Sequence, residues 1–212
     1  MSIRSHGLGI RRALKTAFAV TLFVLAPASL AAADCPTQPT TQAFAKWGDT
    51  ADYAQIPGGS LEGGKGWTFI SSKIAVGNDG FNVLPGWRSL ALGSGIGSVA
   101  ATAISPPFCV DNTHPYFRFM LRPMGAVGAL ATFIIFKNST GDLVRQLVGS
   151  NVSTTFAPGY WRPSVLNPLS VNIPLLESGG TATVQLAFVS PLTVNGPGYY
   201  IDNILVDPYR RG

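Results

Sequence analysis

Residues 130–137 read Leu-Ala-Thr-Phe-Ile-Ile-Phe-Lys, and together with the residues that follow they decide the fold. A run this dense in β-branched and aromatic side chains fits the pleated, buried surface of a central strand. Asn138-Ser139-Thr140-Gly141-Asp142 comes next, a cluster of turn formers, and Leu143–Val148 (LVRQLV) leads back. Two strands joined by a short glycine-containing turn make an antiparallel hairpin.

The same pattern extends outward. Tyr116–Leu121 alternates, with Phe117, Phe119 and Leu121 on one face and Tyr116, Arg118 and Met120 on the other, until Pro123 stops it. Thr181–Val189 alternates as cleanly, and Tyr199–Val206 closes the chain before Asp207-Pro208. Ala43–Trp47, Trp67–Ile70, Lys73–Val76, Ser89–Leu92 and Ser98–Ile104 are the earlier candidate strands. Helical periodicity is nearly absent after residue 33; Ala43–Tyr53 comes nearest, with Gly48 inside it. Roughly eight to ten short strands in one chain predict two packed antiparallel sheets, an all-β single β-sandwich with jelly-roll topology.

The chain has 212 residues, 46% of them hydrophobic and 12% charged, which excludes a disordered polyelectrolyte. Its net charge of +5 is unevenly placed. Residues 1–33 hold Arg4, Arg11, Arg12 and Lys15 and no acid, so the remainder is nearly neutral. A nucleic-acid partner needs a basic stripe, and none is visible there. Arg11, Arg12 and Lys15, the apolar run Ala17–Leu25 and then Ala31-Ala32-Ala33 compose a signal peptide over 1–33. The run falls short of the roughly 20 residues of a bilayer span, so the reading is a secreted, extracellular chain with no membrane span after cleavage. Residues 34–42 form an irregular leader and 43–212 the β-sandwich domain. Cys35 and Cys109 are the two cysteines, and in an oxidising compartment they pair, holding the leader to the domain.

Gly58–Trp67 (GGSLEGGKGW) and Tyr199–Pro208 (YYIDNILVDP) resemble the two ends of galactose-binding-like jelly rolls, among them many secreted carbohydrate-binding modules. Ser105–Val110 (SPPFCV) is similar to a segment of secreted actinobacterial proteins. The resemblance implies a structural calcium ion on the opening glutamate and the closing aspartate, here Glu62 and Asp202. Asp202 is two residues from Ile204, so simple alternation puts its carboxylate toward the core. A carboxylate there needs a metal or hydrogen-bond donors, and backbone N–H groups at a strand bulge would serve equally.

Catalytic signals are sparse. His114 is the one histidine after residue 33, it precedes a proline in a turn, and no Gly-x-Ser-x-Gly elbow occurs. No catalytic residue is assigned. Sugar recognition places aromatic faces against a pyranose and arginines against its hydroxyls. Tyr116, Arg118 and Arg122 in step on one strand, with Trp87 beside Arg88, are the candidate ligand-binding residues. Trp161, flanked by Tyr160 and Arg162, is a similar case, whereas Trp67 reads as core. The expected function is a secreted non-catalytic binding module for an extracellular carbohydrate. A structural or surface-interaction protein of the cell envelope is the alternative, with a small hydrolase or lyase behind it.

Overall fold

The Phe133-Ile134-Ile135-Phe136 run lies at the middle of a nine-residue strand, and the chain around it builds two sheets. A computed structural model describes residues 35–93, 100–124, 129–152, 159–169, 173–177, 180–190 and 196–207, all within the unit Ala32–Gly212. The signal peptide expected over 1–33 and residues 94–99, where the expected strand Ser98–Ile104 begins, lie outside the described residues. The strands are β1 (Thr40–Thr41), β2 (Tyr53–Gln55), β3 (Thr68–Ile70), β4 (Ser72–Val76), β5 (Arg88–Leu92), β6 (Ala101–Ile104) and β7 (Phe108–Val110). After them come β8 (Tyr116–Pro123), β9 (Ala129–Lys137), β10 (Leu143–Val152), β11 (Arg162–Pro163), β12 (Asn167–Pro168), β13 (Ala182–Ser190) and β14 (Tyr199–Asp207). One helical turn, α1 (Pro174–Glu177), precedes β13. Ala43–Trp47 is not a strand; Ala45–Trp47 is a 3-10 turn ended by Gly48 at φ 83°, a conformation that suits glycine.

Every strand pairing is antiparallel. In sheet 1, β14 is central. β8 runs along one side of it, with β11 and β12 on the far edge of β8. Along its other side, β5 takes residues 199–201 and β2 takes 205–206, with β4 and β1 outside them. In sheet 2, β13 is central, between β9 and the pair β6 and β7; β10 and β3 form the edges. The chain crosses between sheets repeatedly, in a jelly-roll winding that fits the expected fold class. The expected hairpin is β9–β10, with Leu143 opposite Lys137. Asn138 accepts the N–H groups of Thr140 and Asp142 on Oδ1, and Gly141 supplies the positive φ.

Alternation decides what the sandwich encloses. Phe117, Phe119 and Leu121 of β8 and Ile201, Ile204 and Val206 of β14 face Ile134 and Phe136 of β9 and Leu186 and Phe188 of β13. Phe119 meets Phe188 edge-to-face at 5.1 Å across the interior. Trp67 belongs to this core, as expected, and its indole N–H donates to the Gly58 carbonyl. The two sheets are latched at one corner by Asn167, fully buried, whose side chain reaches Phe117 and Val165 carbonyls and Thr132 Oγ1. Cys35 and Cys109 are bonded, their Cα atoms 5.5 Å apart, so the leader is fastened to β7.

Candidate functional site

The outward face of β8 and β14 is not bare. Met120 and Leu205 point away from the sandwich, and apolar groups facing water would lose their burial energy. The chain therefore builds a second, smaller core there from Phe44, Tyr53, Met120 and Leu205, edged by Trp47, Val83, Leu84 and Trp161. Phe44 meets Tyr53 edge-to-face at 4.9 Å, and Trp47 meets Phe81 at 5.1 Å in the same manner. Two segments, 43–53 and 77–87, thus fold over sheet 1.

Each segment is held by a carboxylate. Asp49 accepts the Tyr53 hydroxyl at 2.7 Å and the Ala51 N–H, and it pairs with Arg118. Burial opposes its ionisation, but the hydrogen bonds from Tyr53 and Arg118 outweigh that and hold its carboxyl below the ordinary range. Burial and the bond to Asp49 push the Tyr53 phenol up. Asp79, buried in the second segment, accepts N–H groups of Phe81, Asn82 and Val83 and the Asn203 side-chain amide. Its own N–H donates to Asp202 Oδ2 at 2.9 Å, which ties the segment to the centre of β14.

Between these segments and β11 lies a groove of about 510 Å³. Trp47, Phe81, Tyr160 and Trp161 line it, with Arg118 and Arg162. Phe81 and Tyr160 are well exposed. Arg118 lies 4.9 Å over the Phe44 ring and donates twice to the Ser164 carbonyl. Arg122 is stacked between Tyr200 at 4.5 Å and Trp161 at 5.2 Å. Four aromatic faces with guanidinium groups at their edges can hold a flat-faced polar ligand by stacking and by hydrogen bonds.

The sequence-assigned ligand residues are dispersed around this groove. Arg118 lines it but is engaged inward with Asp49 and Ser164. Arg122 backs it through Trp161. Tyr116 stands at the opposite end of β8, across from Asp207, six residues from Arg122. Trp87 is 81% exposed at the end of the covering segment. Trp47 and Phe81 carry no local pattern that marks them, because the sheet face they cover is chosen by tertiary packing. Tyr160-Trp161-Arg162 is the readable part of the site.

Asp202 is buried, as expected, though not by alternation. β14 bulges between Asp202 and Leu205, with Asn203 at φ 48°, so Ile201 and Ile204 both face the core and Asp202 sits on the covered outer side opposite Met120. Its carboxylate accepts the N–H groups of Asp79 and Asn203. Burial pushes its carboxyl up to about 8; the backbone N–H groups lower it, while the charges of Asp79 and Glu62 raise it further. Glu62 accepts the N–H groups of Trp87 and Arg88 on Oε1. Among the described residues no group of three or more His, Cys, Asp or Glu is arranged to hold a metal ion. His114 has a turn role: its Nδ1 lies 2.9 Å from Asp111 Oδ1.

No family model matches the chain. No curated protein matches it. Among solved structures, the enzymatically active domain of bacteriophage CBA120 tailspike protein 4 is similar over 72% of this chain and 21% of its own, at 17% identity and a TM-score of 0.49. The CBM22-1-GH10 modules of Clostridium thermocellum xylanase Xyn10B, complexed with xylohexaose, are similar over 69% of this chain and 27% of theirs, at 13% identity and a TM-score of 0.47. The CBM22-1 xylan-binding domain from Paenibacillus barcinonensis Xyn10C is similar over 72% of this chain and 92% of its own, at 11% identity and a TM-score of 0.45.

Proposed function

We propose that the exported chain is a non-catalytic module that binds an extracellular carbohydrate in the groove over sheet 1. The observation that carries this reading is the groove's lining, where Trp47, Phe81, Tyr160 and Trp161 stand beside Arg118 and Arg162. A pyranose has one apolar face and a rim of hydroxyls, and stacked rings edged by fixed donors match both. Arg118, held by Asp49 and Ser164, keeps the floor rigid, so little ordering is lost on binding. Glu62 and Asp202 are the proposed calcium ligands; the ion would supply the positive charge that the buried Asp202 carboxylate lacks.

Isothermal titration against a glycan panel that includes xylohexaose tests the reading, with tryptophan fluorescence as a second signal. Binding is expected to be lost, by roughly tenfold or more, in Trp161→Ala, since an aromatic stack of this kind contributes about 1–3 kcal/mol. A panel with no binding at millimolar concentration would count decisively against it. A second reading, contact with another surface protein, is favoured by sheet 2, whose edge strand β10 exposes Leu143 and Leu147. It predicts self-association or co-purification that Leu147→Lys abolishes.

A further inference from the structure

The groove over sheet 1 carries positive charge that its acids do not balance. Four bases stand on or beside its rings: Lys46 over Phe81 at 4.5 Å, Arg118 over Phe44, Arg122 over Trp161, and Arg162 in the lining itself. Arg118 is neutralised by Asp49. Lys46, Arg122 and Arg162 have no ion-pair partner among the described residues. Asp207 meets the like charges of Asp49 and Asp52 and lies across from Tyr116, at the end of β8 away from Arg122. Asp79 faces backbone N–H groups and Asn203.

A second observation concerns donors. Arg122 Nε and Trp161 Nε1 are buried and have no hydrogen-bond acceptor among the described residues. They belong to side chains stacked on each other 5.2 Å apart. Buried N–H groups in native proteins are paired, and these two adjacent donors are unmet among the described residues. Arg162 presents a planar fork that matches a carboxylate in a bidentate pair, and Arg122, fixed between Tyr200 and Trp161, adds positive charge behind the groove wall.

We infer that the groove takes a carboxylate-bearing sugar, a uronate residue of an acidic polysaccharide, with its ring on the aromatic lining and its carboxylate on Arg162. The inference rests on the glycan reading of the groove and narrows it. Uncharged sugars would satisfy the rings but leave the charge of Lys46, Arg122 and Arg162 unanswered. An acidic peptide would answer the charge but offers no pyranose face to the four rings.

The test is calorimetric titration of the disulfide-bonded protein with oligogalacturonate, oligoguluronate and glucuronoxylan oligosaccharides, each beside its methyl ester. Xylohexaose and polyglutamate serve as neutral and non-sugar controls. At least one acid oligosaccharide is expected to bind, with its methyl ester about tenfold or more weaker, because esterification keeps the ring and removes the charge. Arg162 is exposed, so Arg162→Gln folds; it should weaken the acid by roughly tenfold and bring it level with its methyl ester. An ester or xylohexaose that binds as tightly as the acid overturns the acidic specificity and leaves the glycan reading in place. Polyglutamate binding as tightly as the sugars overturns it too, since charge alone would then suffice. No binding by any sugar overturns both.

Discussion

Asp202 should make this protein more stable in mild acid than in mild base. Its unfolded carboxyl ionises near 3.8, whereas in the fold burial keeps the proton on until about pH 8. Between those values the native state carries a proton that the unfolded chain lacks, so its contribution is complete below 3.8 and is lost as the pH rises through 8. Each pH unit inside the window is about 1.4 kcal/mol, and integration from pH 5 to pH 8 gives a loss of roughly 3–4 kcal/mol. Asp207, raised by burial and by the charges of Asp49 and Asp52, adds a slope of the same sign. Asp49 and Asp111 are held low and act in the opposite sense, on the acid side of the ordinary carboxylate range and outside this interval. Urea unfolding at pH 5 and pH 8 in chelator, followed by tryptophan fluorescence, reads the difference. Asp202→Asn removes the buried charge and should remove most of the slope. Wild-type stability that is flat or rises toward pH 8 would refute the reasoning. The proposed calcium enters the same experiment, because an ion on Glu62 and Asp202 favours the ionised form. Millimolar calcium should then restore the stability lost at pH 8; a midpoint that calcium leaves unmoved removes the ion and leaves the proton argument standing.

Cys35→Ser with Cys109→Ser opens a loop of sequence separation 74 and should cost about 4.5 kcal/mol, read as a lower urea midpoint with the β-sheet circular dichroism unchanged in native buffer. Gly149→Ala drives a Cβ into Asn167 Oδ1 and Thr132 Oγ1 at the latch between the sheets, and should destabilise by about 1–3 kcal/mol in the same assay. Arg118→Met removes the guanidinium from over Phe44, takes the ion pair from Asp49 and leaves the Ser164 carbonyl without that donor; a loss of about 2 kcal/mol is expected, recovered in part by Asp49→Asn in the same chain.

The sandwich was legible because its central strands are long enough to show a period. Phe117, Phe119 and Leu121, or Val184, Leu186 and Phe188, recur at two-residue spacing, and only a sheet buries such a set on one face. The disulfide was legible because two cysteines leave one pairing. β1, β2, β7, β11 and β12 were not, since two or three residues contain no period. The bulge at Asp202 was hidden for a different reason. A slip of one residue reverses every facing downstream, and nothing in Ile-Asp-Asn-Ile announces it except Asn203, a residue that tolerates positive φ. The groove was half legible. Tyr160-Trp161-Arg162 stands out locally, but Trp47 and Phe81 join it only because segments 43–53 and 77–87 cover Met120 and Leu205.

That bulge also links the two halves of the site. Without the slip, residue 202 could not present its carboxylate to the Asp79 N–H, and the 77–87 segment would lose its attachment to the sheet centre. Phe81, two residues beyond Asp79 and bonded to it through its own N–H, lines the groove from that segment. One chain of contacts therefore runs from the charge state of Asp202 through Asp79 to an aromatic wall of the groove. Protonating Asp202 changes the acceptor that the Asp79 N–H meets, while the Asn203 amide still holds the Asp79 carboxylate. By thermodynamic reciprocity, any factor by which the proton on Asp202 changes the affinity of a ligand stacked on Phe81 equals the factor by which that ligand changes the affinity of Asp202 for its proton. The covering segment is thus the element on which the stability argument and the binding argument stand together.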